Sequence, residues 1–279
     1  SLAPEVPESG AATLNVGVLD RLQLLKDRRP AAGEQRKFVG LTDGEIAKRI
    51  AARNGLDADV DSVGVAYDEV VQGDLDDAQF LRVRAKRIDY DCFIFVDPKT
   101  GKDKLRFGAP RDVRDAGRMR EHRFAWGRSL KSFAPTLTMS NQVAQVTVRG
   151  WNADTCEPVV ATASAADLEG AAGNTGPGNA GAAVAGREDV VIGAAVRTKD
   201  EAKALAKALL RERAYEFITG KGEIIGLPDL RPGDNATIAG LGDRFSGTYY
   251  VTKVEHSLGG GGYSTSFEVR KSYDEGKKS

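Results

Sequence analysis

Residues 222–258 read GEIIGLPDLRPGDNATIAGLGDRFSGTYYVTKVEHSL. Short runs that alternate apolar and polar side chains are cut here by turn residues. GEIIGL is a strand, PDLRPGD a tight turn, NATIAGL a second strand, and SGTYYVTKVEHSL a third. The four glycines Gly259–Gly262 then lead into a fourth, YSTSFEVRK. A run of antiparallel strands with tight turns closes most naturally as a barrel or a curved sheet.

Upstream, Thr198 and Glu201 are expected to form a capping box that opens a long helix, TKDEAKALAKALLRERAYEFI. Ala202, Leu205, Ala206, Leu209, Leu210, Ala214 and Phe217 make its apolar stripe, and Gly220 ends it. Strands are also expected in RFAWGRSLKSF, in QVAQVTVRG (residues 142–150) and in VVIGAAV. Residues 164–188 are dominated by Ala, Gly and Asn, a composition that buries too little to fix a backbone, so a flexible excursion is expected there. Nearer the start, TLNVGVLD (residues 13–20) alternates as a strand. TDGEIAKRIAARNGL carries a capping box at Thr42 and Glu45, an apolar face of Ile46, Ala47, Ile50 and Ala51, and a stop at Gly55. A second helix starts near Asp76, with Phe80, Leu81, Arg84, Ala85 and Ile88 on helical spacing. CFIFVD, PKTGKD and KLRFG then form a hairpin, so residues 40–108 read as a small α+β unit.

The chain has 279 residues, a length of roughly two domains. Forty Lys+Arg balance forty Asp+Glu, so no net positive charge drives nucleic-acid binding by counterion release. No apolar run approaches the ~18 residues of a helical membrane span, and no stable membrane insertion is expected. The neutral total averages two blocks. Between Asn54 and Leu81 stand eight acids and no base; between Lys102 and Lys131 stand ten bases against four acids. Complementary blocks suit head-to-tail association of like subunits.

Signals for chemistry are weak. Two histidines, His122 and His256, do not make a zinc site; His122 is expected in an exposed connector and His256 in a structural role. Cys92 lies in an apolar run and reads as an inert thiol, and no CxxC is present. TGKGEIIG places glycines at 220, 222 and 226 after a helix and before a strand, the reverse of the order that brings phosphate to a helix N-terminus. Asp57, Asp59, Asp61 and Asp68 match positions 1, 3, 5 and 12 of a calcium loop, but Ser62 stands where the sharp turn needs glycine, so an acidic surface loop is expected. No GxSxG elbow supports a serine nucleophile. The expectation is therefore a protein with no catalytic residues, no metal and no cofactor.

The ordered set of segments resembles the phage late control gene D protein family. It runs LDRLQLL, FVGLTDGEIAKRIAARNGL, DAQFLRVRAKRIDYDCFIF, SFAPTLTMSNQVAQVTVRGWNADTCEPVVATA, then the helix and strands of residues 199–258 and GGYSTSFEVRKS, over about residues 13–273. That family comprises baseplate hub proteins of contractile phage tails and related contractile injection systems. The resemblance implies an α+β, mainly β fold: tube-like β-barrels, one with a packed helix, and a small inserted α+β domain. On this reading residues 1–39 hold the terminal strand of a mostly absent N-terminal barrel and a linker, and residues 40–110 the inserted domain. Residues 111–271 form the second barrel with the 164–188 loop, and residues 272–279 a polar tail. The missing first barrel and the absent initiator Met suggest a fragment or an N-terminally reduced member.

The resemblance further implies a homotrimer of pseudo-sixfold symmetry that adapts a hexameric tail tube to a trimeric spike. Its partners would be the tail-tube protein, the spike protein and other baseplate proteins. It would be assembled in the bacterial cytoplasm and carried in a phage tail or injection particle. Arg231, Arg244, Phe245, Tyr249 and Tyr250, at the loop-rich end of the barrel, are the expected subunit contacts. Two alternatives stand beside it: a cell-wall-degrading baseplate enzyme, and the hub part of a VgrG-type spike protein.

Overall fold

The computed structural model describes residues 2–5, 13–16, 22–26, 28–31, 33–61, 64–97, 99–110, 121–168, 174–177, 186–259 and 262–274. It divides into two compact units, residues 1–86 with 90–108, and residues 87–89 with 109–279.

In the first unit, β1 (Leu2–Glu5) and β2 (Thr13–Val16) pair antiparallel, so the alternation in TLNV does mark a strand. A short helix α1 (Leu22–Lys26) buries Leu22 and Leu25. Next come β3 (Lys37–Leu41), α2 (Asp43–Arg53), β4 (Asp57–Val60), β5 (Tyr67–Val71), α3 (Asp77–Arg87), β6 (Asp91–Val96) and β7 (Asp103–Gly108). The Thr42 hydroxyl accepts the Glu45 N–H at 3.2 Å, and the Glu45 carboxylate accepts the Thr42 N–H at 2.8 Å. That capping box starts α2, Gly55 at φ +68° ends it, and Ile46, Ala47, Ile50 and Ala51 are fully buried. Asp76 caps α3 through the Gln79 N–H at 2.7 Å, and Phe80 stacks on Phe38 of β3 with ring centres 5.7 Å apart. β3 pairs with β5; β7 lies between β4, parallel to it, and β6, its hairpin partner.

Part of the acidic block is paired within this unit. Both carboxylate oxygens of Asp61 meet the buried Arg106 guanidinium, at 2.8 and 2.9 Å, and Asp59 approaches it at 3.6 Å. Asp57 and Asp59 sit in a strand paired to β7, not in a surface loop, and Asp59 and Asp61 face Arg106. Asp77 is fully buried; it is ion-paired to Arg53 and accepts from the Gln72 and Asn54 amides at 2.8 Å each.

Among the described residues, the second unit holds two larger sheets and one two-stranded pair. The larger is built from β8 (Glu121–Ala125), β9 (Leu130–Leu137), β14 (Ile218–Ile225), β15 (Asn235–Ala239), β16 (Gly247–Gly259) and β17 (Gly262–Lys271), in the order β8-β15-β16-β17-β14-β9. Its two edge strands, β8 and β9, are consecutive in the chain and meet in a bridge between Trp126 and Leu130. A sheet whose edges are joined by one tight turn has to curl, and it forms a half-barrel. Within its core, Phe124, Phe267 and Phe133 stack in succession, and Tyr249 meets Phe133 edge-on at 5.6 Å.

The smaller sheet consists of β10 (Gln145–Asn152), β11 (Glu157–Ser164) and β13 (Glu188–Ala194), in the order β11-β10-β13, with β13 parallel to β10. The two-residue strand β12 (Asn174–Thr175) pairs with β18 (Tyr273–Asp274). Helix α4 (Lys199–Tyr215) covers the smaller sheet: Ala202, Ala206 and Leu210 pack on Val146, Val148, Val159, Ala161 and Ala163. This corrects the expected single barrel with the helix outside it. Strict alternation specifies which face of a strand is buried, not which sheet the strand joins. The helix also ends earlier than its apolar stripe suggests: Phe217 lies beyond it and enters the half-barrel core. At its start Thr198 accepts the Glu201 N–H at 3.1 Å, but Glu201 reaches back to the Arg197 N–H, not to Thr198.

Most of the 164–188 excursion lies outside the described residues. Residues 174–177 do not behave as expected: Thr175 is buried on Tyr273, and Gly176 abuts the buried Gln142 amide so closely that no side chain would fit.

Candidate functional site

The glycines of TGKGEIIG answer to packing. On β14, Gly220 and Gly222 point into the half-barrel, beneath the rings of Phe133 and Phe267, and Gly226 lies beneath Tyr263. A Cβ at any of these positions would collide with the ring above. Aromatic rings cover strand glycines here, which leaves no phosphate cradle.

The two histidines are tied into the sheet. His122 Nε2 lies 3.3 Å from the Asp234 carboxylate, and its ring stacks on Phe124. It is thus half-buried in β8, which corrects its expected exposure. His256 Nδ1 is shared by the Thr265 hydroxyl and the Tyr263 hydroxyl, at 3.0 Å each. Burial pushes the Cys92 thiol up to about 12, so it stays protonated and unreactive at neutral pH. Among the described residues, no three His, Cys, Asp or Glu side chains are grouped to hold a metal ion. No helix among them is long and apolar enough to cross a membrane.

The five expected contact residues separate into two kinds. Arg231 and Arg244 are exposed, and Phe245 packs partly against the half-barrel core. Tyr249 and Tyr250 are interior, at 0% and 5% exposure, which corrects their expected place at a surface. Tyr249 points inward and donates its hydroxyl to the Phe245 carbonyl at 2.6 Å. Tyr250 points to the other face, where the Arg270 guanidinium lies 5.3 Å from its ring centre.

Two surfaces that sequence reasoning missed are better placed for contact. The first is the outward face of the smaller sheet, opposite α4. Trp151 of β10, Val160 of β11 and Val190 and Ile192 of β13 are all exposed there, Ile192 at 78%. Register places Val160, Arg149 and Ile192 side by side across the three strands. Val190 and Ile192 adjoin on β13, and Trp151 and Val160 gather on β10 and β11, with Arg149 between the two groups; exposed apolar side chains clustered on a sheet face mark an interaction surface more often than scattered ones do. The signal was present in VVIGAAV and VVATA, but it needed the sheet pairing to assemble it. The second surface is the polar face of the half-barrel. Lys221 bridges to Glu268 at 3.1 Å and Lys131 to Glu223 at 3.2 Å, and Lys253 lies opposite Glu268. This is a lattice of alternating charge across four strands.

A family model described as the Alg8 N-terminal domain matches residues 26–259, most of the chain. The chain belongs to the Alg8 N-terminal domain family. The description names a domain and no activity. The fold of this Alg8 N-terminal domain chain is shared with solved structures at low identity. One is the 43 kDa tail protein of prophage MuSo2 from Shewanella oneidensis: 12% identity, TM-score 0.63, covering 96% of this chain and 77% of that one. Another is the tail protein from Neisseria meningitidis MC58, at 14% identity and TM-score 0.65, covering 97% and 78%. A third is the E. coli c3393 protein, described as a component of the type VI secretion system with structural similarity to the T4 tail proteins gp27 and gp5. It matches at 14% identity and TM-score 0.55, covering 89% of this chain and 52% of its own. No curated protein matches the sequence. The expected mainly-β, phage-tail fold is therefore present, and at these identities it is the fold alone that is shared.

Proposed function

We propose that this Alg8 N-terminal domain chain is a structural baseplate hub protein of a contractile tail or injection machine, akin to the late control gene D proteins. Its three copies form a ring that adapts the hexameric tube to the trimeric spike. The observation that supports this reading is the fold shared, over 96% and 97% of the chain, with tail proteins from Shewanella and Neisseria. Residues 40–110 then act as an inserted domain, and the half-barrel acts as the tube-like element.

The two surfaces suit such a role. The apolar face around Trp151, Val160 and Ile192 supplies area for a subunit contact, and the charge-balanced face of the half-barrel suits a wet lumen or a polar rim. Arg231 and Arg244 stay candidates for rim contacts. The partners are a second and third copy of the chain, the tube, the spike and other baseplate proteins, and the site of action is a virion or an injection particle. On this reading the role is structural, in keeping with the tail proteins whose fold the chain shares.

The test is sedimentation equilibrium of the purified protein, alone and with tube protein. A three-chain species that caps tubes supports the reading. A protein that stays monomeric, binds no tube and clears suspensions of bacterial cell wall would replace it with the enzyme.

A further inference from the structure

A cleft of about 540 Å³ opens between the last turn of α4 and the outer face of the half-barrel. Its floor carries one rung of the sheet, on which Thr136, Thr219 and Arg270 stand side by side across β9, β14 and β17, with the buried Tyr250 next in register on β16. Arg270 is clasped between two rings, with its guanidinium carbon 4.4 Å from the Tyr215 centre and 5.3 Å from the Tyr250 centre. Stacking of this kind holds a guanidinium plane in one orientation.

No acceptor among the described residues meets that guanidinium, and its Nε is buried without a hydrogen-bond partner. A clasped, partly desolvated cation at the floor of a cleft is prepared for an anionic oxygen pair. The remaining charge narrows the class. Glu212 and Glu216, one helical turn apart, line the α4 side, and Lys221 is already paired with Glu268. A doubly charged phosphate would be repelled by that rim, whereas a single carboxylate with a cation beside it would match both floor and rim.

We infer that this cleft binds an extended peptide segment of a partner subunit, with an acidic side chain on Arg270 and an adjacent basic side chain at Glu212 and Glu216. The inference rests on the assembly reading above, since a subunit is what would present such a segment. The cleft's size is within the ~300–1,000 Å³ of ordinary ligand sites and admits a few residues of chain.

The test uses the whole protein and small probes, so that it is independent of ring formation. The capped dipeptide acetyl-Lys-Glu-amide is titrated against the ¹⁵N-labelled protein while the Arg270 side-chain resonances and the tyrosine fluorescence are followed. Its neutral counterpart acetyl-Lys-Gln-amide and inorganic phosphate serve as comparisons. The expected result is saturable shifts with the Glu probe, at least tenfold weaker response to the Gln probe and to phosphate, and loss of the response in Arg270→Gln. Equal response to the Glu and Gln probes, tighter binding of phosphate, or no response at all would overturn the inference. The probe comparison is made on the unaltered protein, so it decides the matter even if Arg270→Gln fails to fold. A protein that binds the probe but forms no ring would sink the assembly reading, and with it the subunit as the source of the segment, while the cleft's preference for a Lys-Glu pair would stand.

Discussion

The ammonium of Lys271 lies 5.1 Å from the centre of the Tyr249 ring. It donates to the Ser246 carbonyl at 2.9 Å, while the Tyr249 hydroxyl donates to the carbonyl of Phe245, one residue earlier. One buried strand end and one core ring thus hold the same turn. Lys271→Met strips the turn of its donor and is expected to cost about 2 kcal/mol, as for a buried acceptor left unpaired. Tyr249→Phe keeps the ring and loses a hydrogen bond from a neutral donor, where Lys271 supplies a charged one, and is expected to cost only about 1 kcal/mol. Urea unfolding of the two variants measures both, and equal costs would refute this division.

Gly222 pairs with Phe133 on one side and Phe267 on the other, and the Phe267 ring covers it. Strand propensity alone predicts that Gly222→Val stabilises β14. Steric overlap predicts the opposite, a loss of about 1–3 kcal/mol from overpacking. The melting temperature of the variant separates the two.

Asp77 is fully buried beneath Arg53, Gln72 and Asn54. Asp77→Ala strands these donors, and since Arg53 is itself part-exposed the cost is expected near the low end for a broken buried pair, roughly 3 kcal/mol. Denaturant unfolding of the first unit reads it. A change below about 0.5 kcal/mol would mean that the network is ornamental.

The ammonium of Lys104, with help from the Lys99 N–H, holds Asp97 down to about 2, from an ordinary 3.8. A depressed carboxylate contributes stability that is complete above its ordinary value and is lost as the pH falls through the folded value. Asp97→Asn should therefore melt below the unaltered protein at about pH 6. The gap should close on acidification and be absent below about pH 2. Thermal melts across this range check the sign; a gap that is constant with pH would contradict it.

What could be read from the sequence and what could not follow a physical divide. Helix α2 was legible because Thr42, Glu45 and Gly55 are all local signals, each acting within one or two turns. Strand β11 was not picked out, because Ala161 and Ala163 are weak strand formers that become core only beneath α4. Tyr249 and Tyr250 alternate as any strand does, so one of them was bound to point outward. The cover over Tyr250 comes from Tyr215 and Arg270, and no local pattern announces it. His122 read as exposed because its partner, Asp234, stands 112 residues away. The apolar face that best fits a subunit contact depends on the parallel pairing of β10 with β13, across a 35-residue span (residues 153–187) whose middle reads only as polar and small.

That face bears the central claim, that the chain is an assembly subunit. The most direct measurement is sedimentation equilibrium of the unaltered protein beside Trp151→Asp and Ile192→Asp. Both positions are exposed, so each variant should keep its folding stability to within about 0.5 kcal/mol. The account predicts a three-chain species for the unaltered protein and a shift toward single chains in both variants. A protein that remains a single chain at every concentration, with variants indistinguishable from it, would contradict the claim.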